Sequence, residues 1–146
     1  MHCRRSAHTR LPPSSLATIL LYTINVNSIR VFPFISKNCF IATLTLKTNP
    51  AAFSQSPREI LRLFPNINTM VVNSLECFEN TDTLPDNVRS LVVQNLNFDR
   101  LNVGGLRVAN LVVEIKNVHS ASKRPANFSI FPRLEKLTTH AVLDEV

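Results

Sequence analysis

One pattern restricts the fold more than any other: an apolar residue followed, three positions later, by an apolar-x-apolar run. It occurs four times, as FPNINTMVV (Phe64, Ile67, Met70, Val72), LPDNVRSLVV (Val88, Leu91, Val93), GLRVANLVVEI (Val108, Leu111, Val113) and FPRLEKLTTH (Phe131, Leu134, Leu137, Thr139). Measured at Met70, Leu91, Leu111 and Leu137, the steps are 21, 20 and 26 residues. A unit this short holds one strand and a returning arm, so successive strands are expected to stack in parallel. Pro65, Pro85, Gly104 with Gly105, and Pro132 stand ahead of the strands, where a returning chain must turn.

The side chains of a strand alternate between two faces, which divides each run into inward and outward positions. Met70, Leu91, Leu111 and Leu137 form the expected inward ladder. Three outward columns follow: Thr69, Ser90, Asn110 and Lys136; then Val71, Val92, Val112 and Thr138; then Asn73, Gln94, Glu114 and His140. A valine stripe between hydrogen-bonding columns suits a protein partner, with apolar area for affinity and polar edges for register. The competing explanation is that valine favours strands wherever they lie.

Ser56-Pro57-Arg58-Glu59 starts a helix, with serine at the cap, proline at the first position and glutamate in the first turn. Ile60, Leu61 and Phe64 give it an apolar side, and it serves as the first returning arm. Further upstream, Leu16, Ile19, Leu20 and Ile24 recur at helical spacing after Ser14 and Ser15, and Asn25 and Asn27 end that helix. A second short helix holds Ile29 and Phe32 before Pro33, and a third begins near Ser36-Lys37. Ile41 to Asn49 fits either the continuation of that third helix or an extra repeat strand; its β-branched content favours the strand.

The repeat length and pattern resemble leucine-rich repeats. The fold class expected is α/β: a short leucine-rich-repeat solenoid with a parallel sheet, preceded by a small helical module. Residues 1–10 form a disordered basic tail, 11–48 the helical module and 49–146 a solenoid of about four repeats. An ordinary small α/β domain with evenly spaced strands is the alternative.

The helical module resembles an F-box in its Leu11-Pro12 start, its Leu16, Ile19 and Leu20, its Ile29 and Phe32, and its Ile35-Ser36-Lys37-x-Cys39 segment. It departs from that outline at Pro33 and in carrying Phe40 where a tryptophan is usual. Lys37 with Cys39, Asn49-Pro50 and Phe64-Pro65-Asn66 are similar, in order, to the leucine-rich-repeat families of parasitic amoebae. The resemblance implies that Ile41 to Asn49 closes the helical module as helix, the reading preferred here over the strand, and that the protein is a non-catalytic recognition subunit of a cullin-type ubiquitin ligase. Leu11, Pro12, Leu16, Ile19 and Leu20 would meet the F-box adaptor protein, the repeats would present a target, and the location would be cytoplasmic or nuclear. The alternative is a scaffold or host-contact protein whose N-terminal helices only cap the solenoid, in which case Leu16, Ile19 and Leu20 are buried.

Charge and cysteine content narrow the remaining classes. The formal charge is +6, but residues 1–58 carry seven Lys or Arg and no acid, whereas residues 59–146 carry nine bases and ten acids. The bases are scattered and there is no tryptophan, so nucleic-acid binding is not expected. Cys3, Cys39 and Cys77 show neither a disulfide framework nor metal-ligand spacing. With two glycines and no nucleophile or phosphate-loop signature, the expectation is no enzyme, no cofactor and no metal. Leu16 to Val26 is too short to span a bilayer, and no membrane partner is expected. The arginine-bearing, acid-free start has the composition of an organelle presequence, which leaves a targeted protein as a third reading.

Overall fold

The computed structural model describes residues 10–78, 84–97, 111–119 and 134–139. Its helices come first, and each begins where the local chemistry directs. α1 (Pro13–Leu21) starts behind Pro12, whose extended backbone and the fixed φ of Pro13 set the first turn without a side-chain cap. Ser14 and Ser15, the serines nearest the expected helix start, both lie inside it. Asn25 caps α2 (Val26–Val31) by accepting from the Ser28 N–H at 3.0 Å, and Pro33 converts the chain to a 3-10 turn at Phe32–Phe34. Ser36 caps α3 (Lys37–Thr45) through the Cys39 N–H at 3.2 Å. Ser56 caps α4 (Pro57–Leu63) through the Glu59 N–H at 3.4 Å.

Four strands follow: β1 (Thr69–Val72), β2 (Ser90–Asn97), β3 (Leu111–His119) and β4 (Leu134–Thr139). They form one sheet in the order β1-β2-β3-β4, and every neighbouring pair is parallel. The fold is thus mixed α/β. In β1 and β2 burial alternates, with Met70, Val72, Leu91 and Val93 fully buried and Thr69, Val71, Ser90 and Val92 half-buried.

The first two strands pair Thr69 with Ser90 and Val71 with Val92, the rows expected from the repeat. At β3 the expected rows fail. Ser90 pairs with Val112, not Asn110, and Val92 pairs with Glu114, not Val112. Val113, not Leu111, occupies the row of Met70 and Leu91 and leads on to Leu137, while Leu111 pairs with Leu134. The displacement is two residues. A one-residue slip would exchange the two faces of a strand and expose its apolar set, but a two-residue slip leaves that alternation intact. The sequence pattern therefore fixes parity without fixing register.

The segment that read both as helix and as strand is divided between the two. α3 ends at Thr45, and Thr48 then forms a parallel bridge with Thr69. Thr48, Thr69, Ser90, Val112 and Lys136 consequently share one row, at steps of 21, 21, 22 and 24 residues. The same backbone junction recurs one step later: Lys47 O accepts from the N–H groups of Asn68 and Thr69, and Asn68 O accepts from those of Arg89 and Ser90.

Among the described residues, one cluster of buried side chains runs from the helices into the sheet. Leu20 of α1 and Ile29 of α2 belong to it together with Phe53, Ile60, Phe64, Met70 and Leu91. Phe53 and Phe64 meet edge to face with ring centroids 6.1 Å apart, and full burial of a side chain of that size contributes roughly 2–3 kcal/mol. Arg30 of α2 lies 5.7 Å over the Phe53 ring and pairs with Glu59 of α4 at 2.9 Å, at the solvent edge of the same core.

Candidate protein-interaction surfaces

Two surfaces follow from this arrangement, one on the sheet and one on the helices. On the sheet, the row through Val71 and Val92 continues to Glu114 and Thr138, and the row through Thr69 and Ser90 continues to Val112 and Lys136. The expected stripe of three valines is therefore reduced to two, because Val112 moves into the threonine–serine row and Glu114 takes its place. Lys136 is exposed. Asn110 and His140 lie outside the described residues, and Glu114 stands beside Thr138 in the ladder.

The third column is partly engaged by the protein itself. The exposed Asn73 accepts from the Asn95 side-chain amide at 2.9 Å, and its carbonyl accepts from the Asn95 N–H at 2.7 Å. Gln94 donates to Ala51 O at 3.4 Å and accepts from the buried Ser54 hydroxyl at 3.4 Å. The loop after Asn49-Pro50 is thus fastened to the polar margin of the sheet. What remains for a partner at this end is Val71 and Val92, half-buried, with threonine and serine beside them.

Asparagines that the repeat pattern did not single out make hydrogen bonds at this same spacing. Asn66 reaches back to Leu44 O at 2.9 Å, and Asn87 reaches back to Pro65 O at 3.2 Å and Ile67 O at 2.7 Å. These two side chains, 21 positions apart, bind carbonyls that are themselves 21 apart. The signal was available in FPNIN and LPDNV, where an asparagine follows each strand-leading proline by one or two positions.

The helical surface is built differently. Of the five residues expected at an adaptor, Leu11 and Pro12 are exposed, Leu16 is half-buried and Ile19 is 50% exposed. Leu20 is the correction: it is 0% exposed, because its place on α1 turns it into the buried cluster that also holds Ile29 and Ile60, rather than outward with Ile19. The Leu11 carbonyl accepts from Asn38 at 3.0 Å, which fixes the start of α1 against α3. Tyr22, Ile24, Phe34, Ile35 and Phe40 are also more than half exposed. Among residues 10–78 and 84–95, every exposed large apolar side chain belongs to the segment from Leu11 to Phe40.

Two further observations concern chemistry. Cys39 is buried, and the Ser36 hydroxyl lies 3.2 Å from its sulfur. Among the described residues no three His, Cys, Asp or Glu side chains come together, and no helix is long and apolar enough to cross a membrane. Compared with protein-family models, with curated proteins and with solved structures, the chain finds no match.

Proposed function

We propose that this protein is a non-catalytic protein-interaction module, a short leucine-rich-repeat solenoid whose N-terminal helices carry a docking surface. One observation supports this reading above the others: α1 to α3 send Leu20, Ile29 and Ala42 into the core yet leave Leu11, Ile19, Phe34 and Phe40 at least half exposed. Helices that only covered a repeat array would bury their large apolar residues. Apolar side chains gathered outside a core mark a place where a partner sits. The regular steps of the sheet rows and the repeated Asn66 and Asn87 contacts support the solenoid.

The specific role proposed is recognition within a cullin-type ubiquitin ligase, in the cytoplasm or nucleus. The adaptor would meet Leu11, Pro12, Leu16 and Ile19, and the sheet surface around Val71 and Val92 would hold the target. Such a subunit acts by proximity, raising the effective concentration of a substrate lysine near the conjugating enzyme. The test is capture of the intact protein on purified F-box adaptor, with Leu11→Asp and Ile19→Asp as variants. Wild type is retained, and each variant loses at least about tenfold in affinity. Failure of the wild type, or equal retention of the variants, removes the ligase role.

A second reading has its own observation. Leu20 and Ile29 are fully buried in the cluster that runs on to α4 and the sheet, which favours capping, whereas Ile19, which capping would also bury, is 50% exposed. In a scaffold of this kind the adaptor is not retained, and the sheet alone carries the partner.

A further inference from the structure

The helical half carries a groove that none of the adaptor-facing residues enters. It lies between the 3-10 turn, α3 and the end of α4, is an open depression of about 400 Å³, and is lined chiefly by Pro33, Phe34, Phe40, Leu44, Leu63 and Arg62. Phe34 is 83% exposed and Phe40 51%, so the aromatic wall faces water. Lys37, Phe40 and Leu44 follow one another at spacings of three and four on α3, which places a cation in line with the apolar wall. Arg62, exposed in the last turn of α4, supplies a second cation at the opposite wall.

Charge decides the occupant. Between Arg10 and Leu75 the sequence has one carboxylate, Glu59, against Arg10, Arg30, Lys37, Lys47, Arg58 and Arg62. Glu59 is held by Arg30 at 2.9 Å, and neither residue lines the groove. An apolar channel of this volume takes a few large side chains, and its cationic margins favour a ligand that carries acids around them. We propose that this groove is a docking site for an acidic amphipathic helix of a partner protein, with leucine or phenylalanine inserted between Phe34, Phe40 and Leu63 and carboxylates set against Lys37 and Arg62. The site is independent of the adaptor contacts, because Leu11, Pro12, Leu16 and Ile19 take no part in it.

The test uses the full chain and a fluorescently labelled synthetic helix of about fifteen residues, with Leu and Phe on one side and Glu and Asp on the other. The controls are a peptide with Lys in place of every acid and one with the same composition in scrambled order. The acidic helix binds, the two controls bind at least about tenfold more weakly, and affinity falls as salt rises. Arg62→Glu and Phe40→Asp each weaken binding by about tenfold or more, while Ile19→Asp leaves it unchanged. Arg62→Glu changes an exposed side chain and keeps the test decisive if Phe40→Asp fails to fold. Equal binding of the lysine peptide, or indifference to Arg62→Glu, overturns the proposal. Self-association of the protein that Phe40→Asp abolishes also overturns it, since the occupant would then be a second copy. Loss of adaptor capture alone leaves this result untouched, so the two readings fail separately.

Discussion

Asn49 does with one side chain what a neighbouring strand does with two peptide groups. It is 1% exposed; its Oδ1 accepts from the Val71 N–H at 2.8 Å, and its Nδ2 donates to Val71 O at 2.9 Å and to Phe53 O at 2.8 Å. A primary amide has two hydrogens, so these two carbonyls take both, and the 3.3 Å approach to Pro50 O is secondary. The arrangement closes the backbone of β1 on the side away from β2, next to the single bridge at Thr48. Asn49→Leu would leave one donor and two acceptors without their amide partner, at about 1–3 kcal/mol for each group that water cannot reach. The expected loss is about 3 kcal/mol or more of unfolding free energy, measured by urea titration. Asn49→Asp should fare no better, because it keeps the acceptor for Val71 but brings a carboxylate against two carbonyl oxygens. A loss below about 1 kcal/mol for Asn49→Leu would mean that water replaces the amide. Nothing in the local sequence marks this role, since an Asn-Pro pair reads as a turn. The partner that gives Asn49 its task lies 22 residues away.

The elements differ in how much of them the sequence discloses. α4 was fully legible, because its determinants are local: a serine acceptor, a proline whose missing N–H costs nothing at the first position, and an apolar face through Ile60 and Phe64. Ser56→Ala should cost about 1 kcal/mol, read from the same urea titration. The segment from Ile41 to Asn49 was legible only as an ambiguity, because helical and extended preferences both operate within it and the change occurs at Leu46, whose backbone is extended. The pairing of β3 was not legible. Apolar alternation specifies which residues face the core, and the length of the returning arm then selects among registers that differ by two. A cross-link reads this directly. Row partners on adjacent strands lie about 4.8 Å apart, within the Cα span of a disulfide, whereas a two-residue offset adds about 6.6 Å along the strand. On oxidation Val92→Cys with Glu114→Cys should therefore join, and Val92→Cys with Val112→Cys should not, as peptide mapping by mass spectrometry would show. The reverse outcome would restore the register expected from sequence and with it the three-valine stripe.

At the scale of the molecule the question is whether the helices and the sheet are two units or one. The resemblance to an F-box divides them at about residue 48, yet their buried side chains form one cluster from Leu20 and Ile29 through Ile60 and Phe64 to Met70 and Leu91. The Arg30–Glu59 pair, with side chains 47% and 35% exposed, adds little to that union because solvent screens it; the apolar contact is what couples the parts. If coupling is real, a defect placed in α1 must be felt in the strands. Leu20→Ala removes a fully buried side chain and should lower the unfolding free energy by about 3 kcal/mol. Hydrogen exchange of the β1 and β2 amides should accelerate in step with those of α1 and α2, because all of them open through the same global event. Ile19→Ala is the matched control, since Ile19 is half exposed on the same helix and its loss should change stability by no more than about 0.5 kcal/mol. Unchanged protection in β1 and β2 alongside faster exchange in α1 would show that the helices open by themselves. The N-terminal residues would then behave as an attached module. Coupled loss would make α1 the closing layer of the core, through Leu20, so that a partner bound at the exposed Ile19 of the same helix would stabilise the sheet by mass action.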